Sequence, residues 1–253
     1  MVAAVADALH ERPVAIHAGI TGLGPGAHGD ACAILSAALG APAVRITLSD
    51  DMELAYRAVF APGTGHLVAA GTGSVGLHVT AAGEPIRVGG RGILIDDGGS
   101  GSWIALTALD RLYRRIDETG GPAEAEILHD AIMAAIGGIG WDDIRTFVYG
   151  SDRGRIGTLA RAVAQAAEAG DPLGRRVLDD AVRELARLAR ALRARGGPLP
   201  VGFVGGVLEL TAGIRPALRA ALPDTEVLFP TPDAALAAAH MARLRASPGR
   251  AQD

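Results

Sequence analysis

The chain has 253 residues and a formal net charge of −4, and all 24 of its basic residues are arginine. Without lysine it cannot form a P-loop, the lysine-dependent ATP site of a protein kinase, or a Schiff base with a substrate. The single cysteine excludes an internal disulfide and a cysteine zinc site, and the negative charge argues against a nucleic-acid or anionic-membrane partner.

Predicted strands and helices alternate along the chain. Short apolar runs predict strands at 14–17, 44–48, 66–70, 75–79, 86–88, 201–204 and 227–229. Helices are predicted at 2–11, 50–60, 102–117, 123–136, 157–169 and 173–195, with others ending near 39, lying between the last two strands, and starting near 233. This order indicates an α/β fold with a substantially parallel sheet.

A tight turn of Gly71, Thr72, Gly73 and Ser74 joins two apolar strands in the segment HLVAAGTGSVGLHV. Its glycines allow positive φ and leave backbone N–H groups uncovered, and its hydroxyls add donors. Such a turn can bind a phosphate, although the same composition is also typical of an ordinary β-hairpin.

Two aspartates, Asp50 and Asp51, follow the strand AVRITL and open a helix. The carboxyl end of a strand is where ligands bind in open α/β sheets, so an aspartate there can accept a proton from a substrate hydroxyl. An N-cap for the helix is the structural alternative, and the pair can serve both purposes.

Two further glycine-rich segments are candidates for ligand contact. In GGRGILIDDGGSGSW, Asp96 or Asp97 could bind sugar hydroxyls or hold Mg²⁺ through water. In VGFVGGVLEL, the pair Gly205 and Gly206 follows a buried strand and would let a flat ligand such as adenosine lie against the backbone.

Taken together and in this order, the segments resemble the N-acetylglucosamine kinase and BadF/BadG/BcrA/BcrD ATPase family of the actin-like ATPase superfamily. AGTGS resembles that family's second phosphate motif, and FVGGV resembles its adenosine motif. GGRGILIDDGGSGSWIA resembles the family segment GGWGHLLGDEGSGYWIG, and GDPLGRRVLDDAV resembles a helix that follows the family's insert. The resemblance covers nearly the whole chain.

The resemblance implies ATP and Mg²⁺ as cofactors and phosphoryl transfer to a sugar-like hydroxyl. Asp50 would be the catalytic base, Gly71 to Ser74 would line the β- and γ-phosphates, and Gly205 with Gly206 would pack on adenosine. The acceptor would be bound by Gly90, Arg91, Asp97 and Ser100. No metal ligand from the protein is assigned.

The sequence departs from the family at several positions. Arg91 replaces a sugar-contacting tryptophan, Gly98 a glutamate, and Ser49 the asparagine before the base, which suits an anionic or otherwise different acceptor. The family's leading strands and first phosphate loop have no counterpart here. The expected fold is therefore the two-lobe actin-like, ribonuclease H-like fold with a truncated N-terminal lobe.

The predicted domains are a remnant of the first lobe at 1–61 and the ATPase and sugar-kinase lobe at 62–253. Activity as an ATP-dependent sugar kinase or ATPase is expected when the missing front segment is supplied, for instance from an upstream start codon. The alternative is a non-catalytic nucleotide- or sugar-binding relic. An activator of a radical dehydratase is disfavoured because such activators usually need two cysteines from each subunit to bridge a cluster.

The partners predicted are ATP and a sugar-like small molecule, together with a possible second copy of the chain as a homodimer. No apolar stretch approaches the roughly 20 residues that span a bilayer. Asp7, Glu11 and Arg12 interrupt the N-terminal segment, which is unlike a secretory signal. A cytoplasmic location without membrane contact is therefore expected.

Overall fold

A computed structural model describes residues 13–40, 45–138 and 140–246 of the chain. The strands are β1 (Ile16–Gly19), β2 (Ile46–Ser49), β3 (His66–Ala70), β4 (Ser74–Val79), β5 (Pro85–Gly89), β6 (Val201–Val204) and β7 (Val227–Leu228). The α-helices are α1 (His28–Leu39), α2 (Asp51–Arg57), α3 (Gly101–Thr119), α4 (Glu126–Ile136), α5 (Trp141–Tyr149), α6 (Arg153–Gly157), α7 (Ala160–Glu168), α8 (Pro172–Gly196), α9 (Ile214–Ala221) and α10 (Ala234–Ala246). The predicted helix at 2–11 lies outside the described residues.

The chain divides into two compact units, one formed by Met1–Ala61 with Thr231–Asp253 and the other by Pro62–Pro230. In the first unit, β1 and β2 pair in parallel, with Ile16 opposite Ile46. Helix α10 packs on β1 and α2 of this unit, whereas the sequence prediction assigned it to the second domain. Its alanine-rich pattern indicates a helix but carries no information about which unit the helix packs against.

The second unit contains a mixed sheet in the order β5-β4-β3-β6-β7. Strands β3, β6 and β7 run parallel, as predicted, but β4 is antiparallel to both β3 and β5. The prediction of a substantially parallel sheet is thus wrong for one side. The physical reason is connection length, since a tight turn can join only antiparallel neighbours, while parallel neighbours need a long crossover such as the helices between β5 and β6.

Helix α8 forms the main contact between the helices and the sheet of the second unit, where it packs on β3, β4 and β5. Leu185, Leu188 and Leu192 recur at helical spacing and are buried in the core, while the arginines of the helix face away from it. Helices α5 and α6 were not predicted, because both are short and are bordered by glycines that interrupt the apolar periodicity. None of the described helices is long and apolar enough to cross a membrane.

Asp171 is a buried carboxylate that joins two helices of the second unit. Its Oδ1 caps α8 by accepting the backbone N–H groups of Leu173 and Gly174 at 2.9 Å. Its Oδ2 accepts the backbone N–H of Leu128 in α4, also at 2.9 Å. One side chain therefore satisfies three donors that have no water to replace it, because Asp171 is only 1% exposed.

Replacing Asp171 with alanine is expected to lower the free energy of unfolding by about 2–4 kcal/mol, because three buried N–H groups lose their acceptor. Asp171→Asn keeps one carbonyl oxygen and should lose less. The matched control is Asp152→Ala, which removes the exposed N-cap of α6 (Arg155 N–H to Oδ1, 2.8 Å) and should cost about 1 kcal/mol or less. Urea unfolding of the full chain measures all three, and equal losses at positions 171 and 152 would contradict the argument.

Candidate active site

The predicted hairpin turn between β3 and β4 is present and is open on one side. The backbone N–H of Gly71 donates to the carbonyl of Gly73 at 2.9 Å and closes the turn. No atom lies within 4 Å of a side chain built on Gly71, and Thr72 is exposed. The hydroxyl of Thr72 has no hydrogen-bond partner among the described residues, so it is available to a ligand.

Helix α3 docks its first residues directly onto this turn. The N–H of Gly101 donates to the Gly71 carbonyl at 2.8 Å, and the N–H and hydroxyl of Ser102 donate to the Thr72 carbonyl at 3.3 and 2.8 Å. Ser100, predicted to bind the acceptor, is fully buried and caps the helix by accepting the N–H of Trp103 at 3.1 Å. The geometry of Ser100 is therefore that of a helix cap.

Asp97 is buried beneath the turn, with 3% of its surface exposed and a φ of 64°. Its Oδ1 lies 3.5 Å from the N–H of Ser74, and the Ser74 hydroxyl donates to the Gly98 carbonyl at 2.8 Å. A side chain at Gly73 would come within 3.0 Å of Oδ2, which has no partner in the described structure. Burial, with a smaller contribution from the charge of Asp96, raises the pKa of Asp97 above its usual value.

Arg91 is held by a neighbour in its own loop. Its backbone N–H donates to Oδ1 of Asp96 at 2.6 Å, and its guanidinium pairs with Oδ2 at 2.9 Å. Gly90, with φ at 72°, packs so closely on Val75 that a side chain would come within 2.7 Å of it. Gly90 thus sets the path of the loop, and Arg91 remains largely exposed at its surface.

The two glycines after β6 have different environments. Gly205 has a φ of 110°, and a side chain on it would come within 2.3 Å of the Ala70 carbonyl, so only glycine fits between β6 and β3. A side chain on Gly206 would meet no atom within 4 Å. Gly205 thus allows the strands to approach, and Gly206 presents an open backbone surface.

A cavity of about 360 Å³ in the second unit brings several of these features together. Gly71 and Thr72 of the turn, Gly101 of α3 and Gly206 line it, as the sequence predicted for the turn and for the glycine pair. Its other walls include residues that the sequence reasoning missed, among them Gly154, Gly157, Thr158 and Arg161. The glycines in SDRGRIGTLAR were a signal for this wall, since they interrupt a helical pattern within a few residues.

Asp50 lies in the first unit, at the carboxyl end of β2. Its Oδ1 accepts the N–H of Glu53 at 2.6 Å and caps α2. The preceding Ser49 is buried, and its hydroxyl lies 3.1 Å from Nε2 of His17, whose Nδ1 is 2.8 Å from the Thr47 hydroxyl. The capping role anticipated for the aspartate pair is present at Asp50, and capping does not prevent a carboxylate from accepting a proton.

Residues 4–224 match the sequence pattern of the BadF/BadG/BcrA/BcrD ATPase family. The chain belongs to this family. It is also similar to a protein of Clostridium acetobutylicum named N-acetylmuramic acid/N-acetylglucosamine kinase, with 28% identity over 209 residues, 79% of this chain and 67% of that protein. The expected family membership is therefore confirmed.

Solved structures extend the likeness to the fold. A candidate N-acetylglucosamine kinase from Chromobacterium violaceum has a TM-score of 0.70 at 23% identity, covering 95% of this chain and 79% of that one. A ROK hexokinase from Thermus thermophilus has a TM-score of 0.57 at 20% identity, covering 96% and 84%. Like the rest of the BadF/BadG/BcrA/BcrD evidence, these neighbours confirm the predicted α/β fold of the actin-like ATPase type.

Replacing Asp97 with asparagine is expected to stabilise the protein at neutral pH. Because the folded pKa of Asp97 is raised above 3.8, its stabilising contribution is full below that pH and is lost as the pH rises through the folded pKa. The isosteric amide carries no charge to bury, so the advantage of Asp97→Asn should shrink as the pH is lowered towards 4. Urea unfolding between pH 4 and 8 measures this, with the exposed Asp142→Asn as control, and an advantage that is constant with pH would contradict it.

Proposed function

We propose that this chain transfers the γ-phosphoryl group of ATP to a hydroxyl group of a sugar-like acceptor. The observation that carries the proposal is the cavity at the turn, where an exposed hydroxyl, an open glycine backbone and an arginine converge. Membership of an ATPase family supports the use of ATP, and the name of the Clostridium acetobutylicum relative supports a sugar acceptor.

In this proposal the residues of the cavity divide into those that touch the nucleotide and those that shape the site. Thr72 and the backbone of Gly71 would contact phosphate oxygens, and Gly206 would lie against the adenosine. Gly73 and Ser74 would act through the loop of Asp97, because Ser74 is buried and its hydroxyl is bound to a carbonyl. The absence of any atom within 4 Å of a side chain built on Gly206 supports this fit.

Magnesium belongs to the proposal together with the nucleotide. The described residues contain no group of three or more histidine, cysteine or carboxylate side chains that could hold a metal ion. Mg²⁺ typically keeps several waters and binds through substrate phosphates with one or two carboxylates, so such a cluster is not required. Mg²⁺ would supply charge neutralisation of the phosphates when bound.

Asp50 would act as the general base on the acceptor. The acceptor oxygen forms a bond to the γ-phosphorus, the bond from that phosphorus to the bridging oxygen of ADP breaks, and the hydroxyl proton passes to the Asp50 carboxylate. Gly90, Arg91, Asp97 and Ser100 would form and support the acceptor segment. Within it, the exposed Arg91 is suited to contact, whereas the buried Asp97 and Ser100 are suited to positioning. Because the nucleotide substrate is cytoplasmic, we expect the protein to act there.

Replacing Asp50 with asparagine should reduce turnover by about 10²–10⁴-fold and leave ATP binding intact, because asparagine can cap α2 but cannot take up the proton. ADP release measures turnover with N-acetylmuramic acid, N-acetylglucosamine and glucose as acceptors, and calorimetry measures ATP binding. Wild-type protein that binds ATP but phosphorylates no acceptor would indicate a non-catalytic binder. Wild-type protein that binds no ATP would overturn the proposed function.

Arg161 is the one charged side chain among the residues that line the described cavity. It is exposed and has no carboxylate within ion-pair distance in the described structure. It also occupies the first turn of α7, where a positive charge is unfavourable by about 0.3–1 kcal/mol because of the helix dipole. A cation kept in an unfavourable position, facing a cavity, is expected to serve a ligand, and phosphate is the natural partner of its planar fork.

Replacing Arg161 with glutamine is therefore expected to weaken ATP and ADP binding by about 10- to 100-fold, and to leave adenosine binding unchanged. The matched control is Arg176→Gln, which removes another exposed, unpaired arginine of the same unit. Calorimetric titrations with the three ligands test this. Equal losses for adenosine and ATP would indicate a structural role for Arg161.

A further inference from the structure

A groove between α3 and α5 has no part in the proposed function. It encloses about 560 Å³ on the surface of the second unit. Its apolar part consists of Leu106 and Leu109 from α3 with Ile144 and Val148 from α5. Three of these side chains remain half-buried in the isolated chain, which leaves apolar surface in contact with water.

Large aromatic side chains stand at the edge of the groove. Trp141 is 67% exposed and Tyr149 is 79% exposed, although the whole chain has only two tryptophans and three tyrosines. Arg145 lies between them on α5, with its guanidinium 4.5 Å from the Trp141 ring and 5.2 Å from the Tyr149 ring. This stack orders all three side chains in advance, and these residue types dominate the binding energy of protein interfaces.

Opposite charges stand on the two helices that form the groove. Arg145 of α5 has no carboxylate within ion-pair distance, and Asp117 of α3 has no cation within that distance, among the described residues. The neighbouring Asp110 is already paired with Arg114 at 2.9 Å. A surface with one unpaired charge of each sign, on different helices, is complementary to a rotated copy of itself.

We propose that this groove is the interface of a homodimer with two-fold symmetry. In it, α5 of each copy lies on α3 of the other, so that Arg145 of each chain pairs with Asp117 of the partner chain, twice in the dimer. The exposed aromatic rings cover the half-buried leucine, isoleucine and valine side chains of the opposite groove. A two-fold interface requires residue i to meet j and j to meet i, and this pair fulfils that requirement.

Charge reversal tests the pairing directly. Arg145→Asp places two aspartates together in each contact, and Asp117→Arg places two arginines together, so each variant should dimerise at least about tenfold more weakly than the wild type. An equimolar mixture of the two variants should dimerise again, because every contact then joins an aspartate to an arginine. Sedimentation equilibrium of the full chain measures all these states.

The rescue by mixing makes the experiment independent of folding, since a misfolded variant cannot be rescued by another. Arg176→Asp, on the exposed surface of α8, is the control for a general charge effect and should dimerise like the wild type. A wild type that stays monomeric at about 100 µM would overturn the proposal and leave the groove to a different protein, since a dimer of useful affinity forms well below that concentration. A dimer that survives both reversals would place the interface elsewhere and overturn the proposal too.

Discussion

The backbone contact between the start of α3 and the turn at Gly71 is the constraint on which the cavity depends. The first two N–H groups of the helix donate to the carbonyls of Gly71 and Thr72, and Ser100 accepts the third. The positive end of the helix dipole is thus spent on polarising the turn, and its N–H groups do not face a ligand. Side chains must therefore supply much of the interaction with an anion in the cavity.

This arrangement gives a physical meaning to the absence of lysine. Arginine is always protonated and presents a rigid, planar set of donors, whereas an ammonium group can lose its charge when it is desolvated. A cavity whose walls are mainly glycine, threonine and small apolar residues then relies on one fixed charge. The same property serves at the surface of α5, where Arg145 stacks between two rings as only a flat cation can.

The sequence predicts most of the elements of this fold because apolar periodicity is a local property. The β3–β4 hairpin was predictable since glycines and hydroxyls stand between two apolar runs, whereas α5 and α6 are too short for a periodic signal. The antiparallel side of the sheet and the packing of α10 depend on contacts between residues distant in the chain. They therefore leave little trace in any one segment.

The candidate site shows the same division. Composition identified the glycines at 71 and 206 that line the cavity, but it could not tell which hydroxyl would be open. Thr72 is exposed while Ser74 and Ser100 are buried in hydrogen bonds, and that difference arises only when the loop of Asp97 folds beneath the turn. Arg161 was missed because a lining residue is defined by what lies opposite it in space.

The contrast between Gly205 and Gly206 has a practical consequence for chemical biology. A methyl group at 205 would strike the Ala70 carbonyl and disturb the sheet, but one at 206 would project into open space. The cavity can therefore be narrowed at one wall while the backbone stays as it is. Such a protein would discriminate between a natural nucleotide and a trimmed analogue, which is the basis for an orthogonal enzyme–ligand pair.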